Sequence, residues 1–156
     1  MKAVLQHAYG APDEVVHLGD VDRPVAGDDE VLVQVRAASV HPDVWHVVTG
    51  WPRVLRLMGA GLRRPKNPIP GTDVAGVVEA IGKRVTRFQP GDEVFGETHG
   101  GFQWVNGGAF AEFVAAPESA LLRTGERTLV FVDHGGGRLE PRAVQVGAKV
   151  AQGVQV

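Results

Sequence analysis

The stretch PGTDVAGVVEAIGKRVTRFQPGDEVFG, Pro70 to Gly96, decides the fold. Gly71 and Gly76 bracket Thr72, Asp73 and Val74, and Gly82 closes the run Val77-Val78-Glu79-Ala80-Ile81, whose apolar residues alternate as in a half-buried strand. Pro90-Gly91-Asp92 predicts a turn by its chemistry. Proline presets φ at the first corner, glycine tolerates positive φ, and the aspartate side chain bonds nearby backbone before a strand resumes at Glu93-Val94-Phe95.

Upstream, Glu30 to Ala37 is the clearest strand, with Val31, Val33 and Val35 on one face and Leu32 on the other. Residues 2 to 6 read as a first strand, Tyr9 to Pro12 as a turn and Val15 to Leu18 as a second short strand. Ser39 to Gly50, SVHPDVWHVVTG, predicts a helix of about two turns. Pro42 suits its first turn, Asp43 its positive end, and Gly50 a left-handed stop. Downstream, Ala109 to Ala115 reads as a returning strand that ends at Pro117.

The Pro70–Gly96 stretch, with MKAVLQHAYG and DEVLVQVRAASVHPDVWHVVTG before it and GGAFAEFVAAPESALL after it, resembles the GroES-like catalytic domain of the medium-chain dehydrogenase/reductase superfamily. The resemblance covers residues 1–123. It implies a mainly β fold, a GroES-like β-barrel with short helices. Classical zinc members carry Gly-His-Glu where this chain has Gly71-Thr72-Asp73, and the chain contains no cysteine. The resemblance therefore implies a zinc-independent, NADPH-dependent quinone oxidoreductase or alcohol dehydrogenase-like protein, one that moves a hydride to a quinone, enone or carbonyl. No metal ligands are expected: the six histidines are scattered, and His41 and His46 are spaced so that they do not share a helical face.

Six residues are candidates for the site. His41 and Asp43 are placed to orient substrate or deliver a proton, imidazole being suited to proton traffic near neutral pH; the competing reading is that both merely serve the helix start. Thr72 and Asp73 match the family position on the nicotinamide side of the cleft, against a plain turn between glycines. Trp45 and Trp104 would form an apolar wall for a flat substrate, against packing in the core.

Between Trp51 and Asn67 the composition changes to WPRVLRLMGAGLRRPKN. Val54, Leu55, Leu57, Met58 and Leu62 would form one helical face, and Arg53, Arg56, Arg63, Arg64 and Lys66 a basic cluster. Either the cluster is simply solvated, or it attracts a phosphorylated cofactor or acidic substrate.

After Arg123 the pattern changes again. Residues 124–156 predict a β-hairpin, Leu129–Val132 and Arg142–Val146 around His134-Gly135-Gly136-Gly137, and they hold no GxGxxG turn opening a helix, so no Rossmann domain is expected in this stretch. This tail resembles the membrane-proximal β segment of periplasmic efflux adaptor subunits, on the pattern EPRAVQVG. Two domains of different origin are expected, 1–123 and 124–156. A catalytic half cut off from its nucleotide-binding domain is expected to be inactive alone. A non-catalytic β-domain acting by binding or assembly, with self-association through exposed strands, and a chimeric non-functional product are the alternatives.

With a formal charge of −2 and a pI near 6.3, the chain has no basic footprint for nucleic acid or anionic membrane. No apolar run approaches the ~20 residues needed to cross a bilayer, and Met1 to His7 lack a signal peptide core. A cytoplasmic protein without membrane or nucleic-acid partners is expected.

Overall fold

The computed structural model describes residues 1–99, 105–124, 128–133, 139–144, 149–150 and 153–154. Strands lie where valines alternate. They are β1 (Lys2–Gln6), β2 (Val16–Asp20), β3 (Glu30–Ala37), β4 (Asp73–Ile81), β5 (Glu93–Glu97), β6 (Phe113–Pro117) and β7 (Leu121–Arg123). The helices are short: α1 (Pro12–Val15), α2 (Pro42–Thr49), a π-helical turn at Arg56–Ala60 and a 3-10 turn at Glu118–Ala120. The fold is mainly β, as expected.

Five strands form one antiparallel sheet in the order β6-β3-β4-β5-β7, while β1 and β2 pair as a separate hairpin. The expected barrel is not closed by one continuous ladder among the described residues. Instead β1 is laced to the approach of β6: Val4 N–H donates to Phe110 O at 2.8 Å, Glu112 N–H donates to Lys2 O at 3.1 Å, and Ala3 bridges Ala111. The returning strand therefore begins at Phe113 rather than Ala109.

β3 is hydrogen-bonded on both edges, to β4 and β6, and its valines face the core. Val31 and Val33 are fully buried among Val78, Val94, Phe88, Val114 and Leu121. Burying a valine of this size contributes roughly 1.5–3 kcal/mol. Leu32, on the opposite face, is also buried at 6% exposure, so alternation understated how completely this strand is covered.

The Pro90–Asp92 turn forms as its chemistry predicts. Gly91 has φ 95°, and the Gln89 amide donates to the Asp92 carboxylate at 2.9 Å. At the end of β4, Gly82 is packed so closely that an added Cβ would lie 2.0 Å from Gly27 O. Size, not only turn propensity, requires glycine there.

Residues 51–67 depart from the amphipathic helix that their pattern predicts. Only Leu55 of the five apolar residues is buried; Val54, Leu57, Met58 and Leu62 are more than half exposed. A single π-helical turn is too short to lay those positions on one face, and Gly61 with φ 119° ends it.

The chain divides into two compact units, Met1–Arg123 and Thr124–Val156. In the second, β8 (Thr128–Asp133) pairs antiparallel with β9 (Leu139–Val144), and the two-residue strands β10 (Lys149–Val150) and β11 (Gly153–Val154) pair with each other. The hairpin thus stands at Thr128–Val144, its second strand starting earlier than Arg142. The glycine loop His134–Gly137 lies outside the described residues.

Candidate active site

His41 is the N-cap of α2 in extended conformation, φ −114° and ψ 168°, and its Nδ1 accepts the Asp43 backbone N–H at 3.3 Å. Pro42 follows at the first helical position, where a missing N–H costs nothing. Gly50, in the left-handed region at φ 64°, stops the helix, with its N–H on His46 O. Sequence chemistry therefore fixes both ends of α2 and, with them, the direction of the His41 ring.

That direction is chemically informative. Because Nδ1 accepts from a backbone N–H, the neutral imidazole in this cap carries its proton on Nε2. Nε2 lies 3.2 Å from Thr72 Oγ1 and 3.5 Å from Asp73 Oδ2. The Asp43 carboxylate sits 3.7 Å from Nδ1, so His41 stands between two carboxylates.

Thr72 is buried at 3% exposure, whereas His41 and Asp73 are partly open to solvent. Gly71, with φ 85°, turns the chain into β4 and packs on the Phe110 ring. Its carbonyl accepts from both Gly107 and Ala109 N–H, at 3.0 and 3.1 Å. Asp73 thus opens β4, and Thr72 immediately precedes it.

The sequence reading overlooked Ser39. Its hydroxyl donates to Asp73 Oδ2 in a close hydrogen bond. The cause is register: Ala37 pairs with Ala75 across β3 and β4, so two residues onward and two residues back bring Ser39 opposite Asp73. No local motif signals this contact, because the β3–β4 ladder contains two register shifts.

Beside His41 lies an apolar cleft of about 530 Å³, lined among others by Val40, Val44, Trp45, Val48 and Phe110. Trp45 is half exposed at 50%, on the cleft and not in the core. Trp104 lies outside the described residues. A void between His41, Thr72 and Asn106 adjoins the same helix. Asn106 donates to Asn67 O at 2.7 Å and Gln6 Oε1 at 3.2 Å, while its own buried carbonyl oxygen has no partner among the described residues. Among the described residues no three His, Asp or Glu side chains converge in a set suited to a metal ion.

Residues 27–126 match the model of the alcohol dehydrogenase GroES-like domain. The chain belongs to this family. A quinone oxidoreductase from Mus musculus is 33% identical over 122 residues, 78% of this chain and 32% of the mouse protein. Among solved structures, the quinone oxidoreductase from Coxiella burnetii superposes with a TM-score of 0.66 at 26% identity, over 81% of this chain and 37% of that one. A mycobacterial protein solved complexed with NADPH gives 0.60 at 27% identity, over 81% of this chain and 33% of that one.

The chain spans about a third of the length of the curated relatives it matches. The resemblance of residues 124–156 to efflux adaptors receives no support from these relatives. No helix among the described residues is long and apolar enough to cross a membrane.

Proposed function

We propose that this GroES-like domain is the substrate-binding and catalytic part of a zinc-independent, NADPH-dependent reductase acting on a quinone, enone or carbonyl. The observation that carries the reading is the position of His41, whose ring borders both the apolar cleft and the Thr72–Asp73 pair. A cleft of about 530 Å³ with one polar edge suits a flat, uncharged ring system. The cleft fits the nicotinamide or quinone portion of its ligands and, lacking any Lys or Arg in its lining, not their phosphates.

NADPH, when bound, supplies a hydride. This chain's residues would do the rest: Trp45 and Val44 position the ring and exclude water, and His41 Nε2–H gives its proton to the substrate oxygen. Ser39 and Thr72 hold Asp73 and the imidazole in place. His41 and Asp43 are the proposed proton-handling residues, Trp45 the substrate wall, and Thr72 and Asp73 the cofactor-facing pair.

The test is the 15N-labelled chain titrated with a soluble benzoquinone, with NADPH oxidation followed in parallel at 340 nm. Shifts should appear at the Trp45 indole and along α2, and Trp45→Ala should abolish them, while the chain alone oxidises NADPH no faster than buffer. Shifts confined to other surfaces would sink the assignment of the cleft.

A second reading rests on Phe95 and Leu122, paired on β5 and edge strand β7 and 43% and 55% exposed. An apolar sheet edge of this kind favours pairing with another chain, which would make the domain an assembly module. Sedimentation would then show concentration-dependent oligomers that vanish in the double variant Phe95→Ser with Leu122→Ser.

A further inference from the structure

A second cavity, about 660 Å³ in volume, lies between the end of β1 and the 61–68 loop, and it shares no lining residue with the apolar cleft. Its wall carries Arg63, Arg64 and Lys66 together with His7, and no carboxylate. All three cations are exposed, and none has an ion-pair partner among the described residues. On a chain of net charge −2 this is a local inversion of sign.

The loop that bears these charges is anchored. Tyr9 Oη donates to Gly61 O at 2.7 Å, the Lys66 amide donates to Ala60 O at 3.0 Å, and Gly61 and Pro65 are buried. The Arg56 guanidinium lies 4.3 Å over the Tyr9 ring and donates to Gly50 O at 3.0 Å, tying the same tyrosine to the end of α2. Three like charges within four residues repel one another, and a concave wall that gathers them lowers the energy of an anion more than a flat surface would.

We propose that this cavity binds a small phosphorylated molecule carrying at least two negative charges. Guanidinium forks match phosphate oxygens two at a time, and Lys66 adds a point charge. The volume is that of a small-molecule site. The proposal does not depend on the hydride-transfer reading, because the two linings are separate.

The test is calorimetry with inorganic pyrophosphate on the full 156-residue chain at two ionic strengths, with phosphatidate vesicles as a separate arm. Saturable binding that weakens with salt is expected. Arg63→Gln with Arg64→Gln should reduce affinity roughly tenfold or more, as losing charge-assisted hydrogen bonds does. Because both side chains are exposed, circular dichroism and thermal unfolding should not change; Lys66→Ala should weaken binding less, and His41→Asn not at all. No saturable binding, equal affinity in the double variant, loss in His41→Asn, or binding to vesicles without binding to free pyrophosphate would each overturn the site.

Discussion

His41 Nε2 and Thr72 Oγ1, 31 positions apart in sequence, lie 3.2 Å from each other, so the cap of α2 and the start of β4 form one polar unit. The same ring caps the helix through Nδ1, which couples the stability of α2 to the geometry of the site. Two substitutions separate these roles. His41→Ala should lose about 1 kcal/mol of stability through the cap. His41→Asn should keep most of that stability, because asparagine caps well, while losing the reach to Thr72 and Asp73. Urea unfolding of both variants checks the pair; equal losses would show that the cap is not what His41 contributes.

The tautomer is a direct consequence of the cap. Long-range 1H–15N correlation spectra above the imidazole titration should show neutral His41 with its proton on Nε2. Finding the proton on Nδ1 would exclude donation from Nε2 to a substrate oxygen.

Tyr9 is the chain's single tyrosine, so its ionisation can be read by absorbance without overlap from another phenol. Burial raises its pKa above the ordinary value, and the nearby Arg56 charge opposes only part of that rise. A phenol raised on folding stabilises the native state fully below about pH 10, and the contribution is lost as pH climbs through the raised value. Wild type should therefore lose stability above pH 10 more steeply than Tyr9→Phe. At neutral pH the same variant should be weaker by about 1 kcal/mol, for the lost hydrogen bond to Gly61 O.

Gly71→Ala tests the turn that presents Thr72. Its φ of 85° is unfavourable for alanine, and the new Cβ would lie 2.4 Å from Phe110 Cδ1. A loss of roughly 1–3 kcal/mol is expected from strain and overpacking. Unfolding at wild-type denaturant concentration would contradict the packing.

Leu121→Ala probes the core. Leu121 is fully buried within the main cluster, and truncation should cost about 2–5 kcal/mol. Thermal melts check this, and a change below 1 kcal/mol would mean that β7 is not integral to the sheet.

How legible the molecule was in its sequence follows from the range of the forces involved. The ends of α2, the Pro90–Asp92 turn and strands β1, β3 and β5 were legible because capping, turn chemistry and period-2 burial act over a few residues. The apolar spacing of residues 54–62 misled for the converse reason: periodicity describes what a helix would bury, and here a π-helical turn and Gly61 leave no helix to bury it. Asp73 was legible as a site candidate, but its partner Ser39 was not, since two register shifts lie between the pattern of β3 and the pairing that joins them.

By itself the sequence determined a mainly β domain with one short capped helix, through glycine, proline and alternating valines whose effects are local. It also determined which residue types were available for chemistry, with His41, Asp43, Thr72 and Asp73 among them. Only the tertiary structure decided that the His41 ring would lie between two carboxylates and against Thr72, and that Trp45 would line a cleft. Only it gathered Arg63, Arg64 and Lys66 with His7 around a separate cavity. Those juxtapositions depend on strand register and on which loop crosses which strand end, and packing of the whole chain sets both.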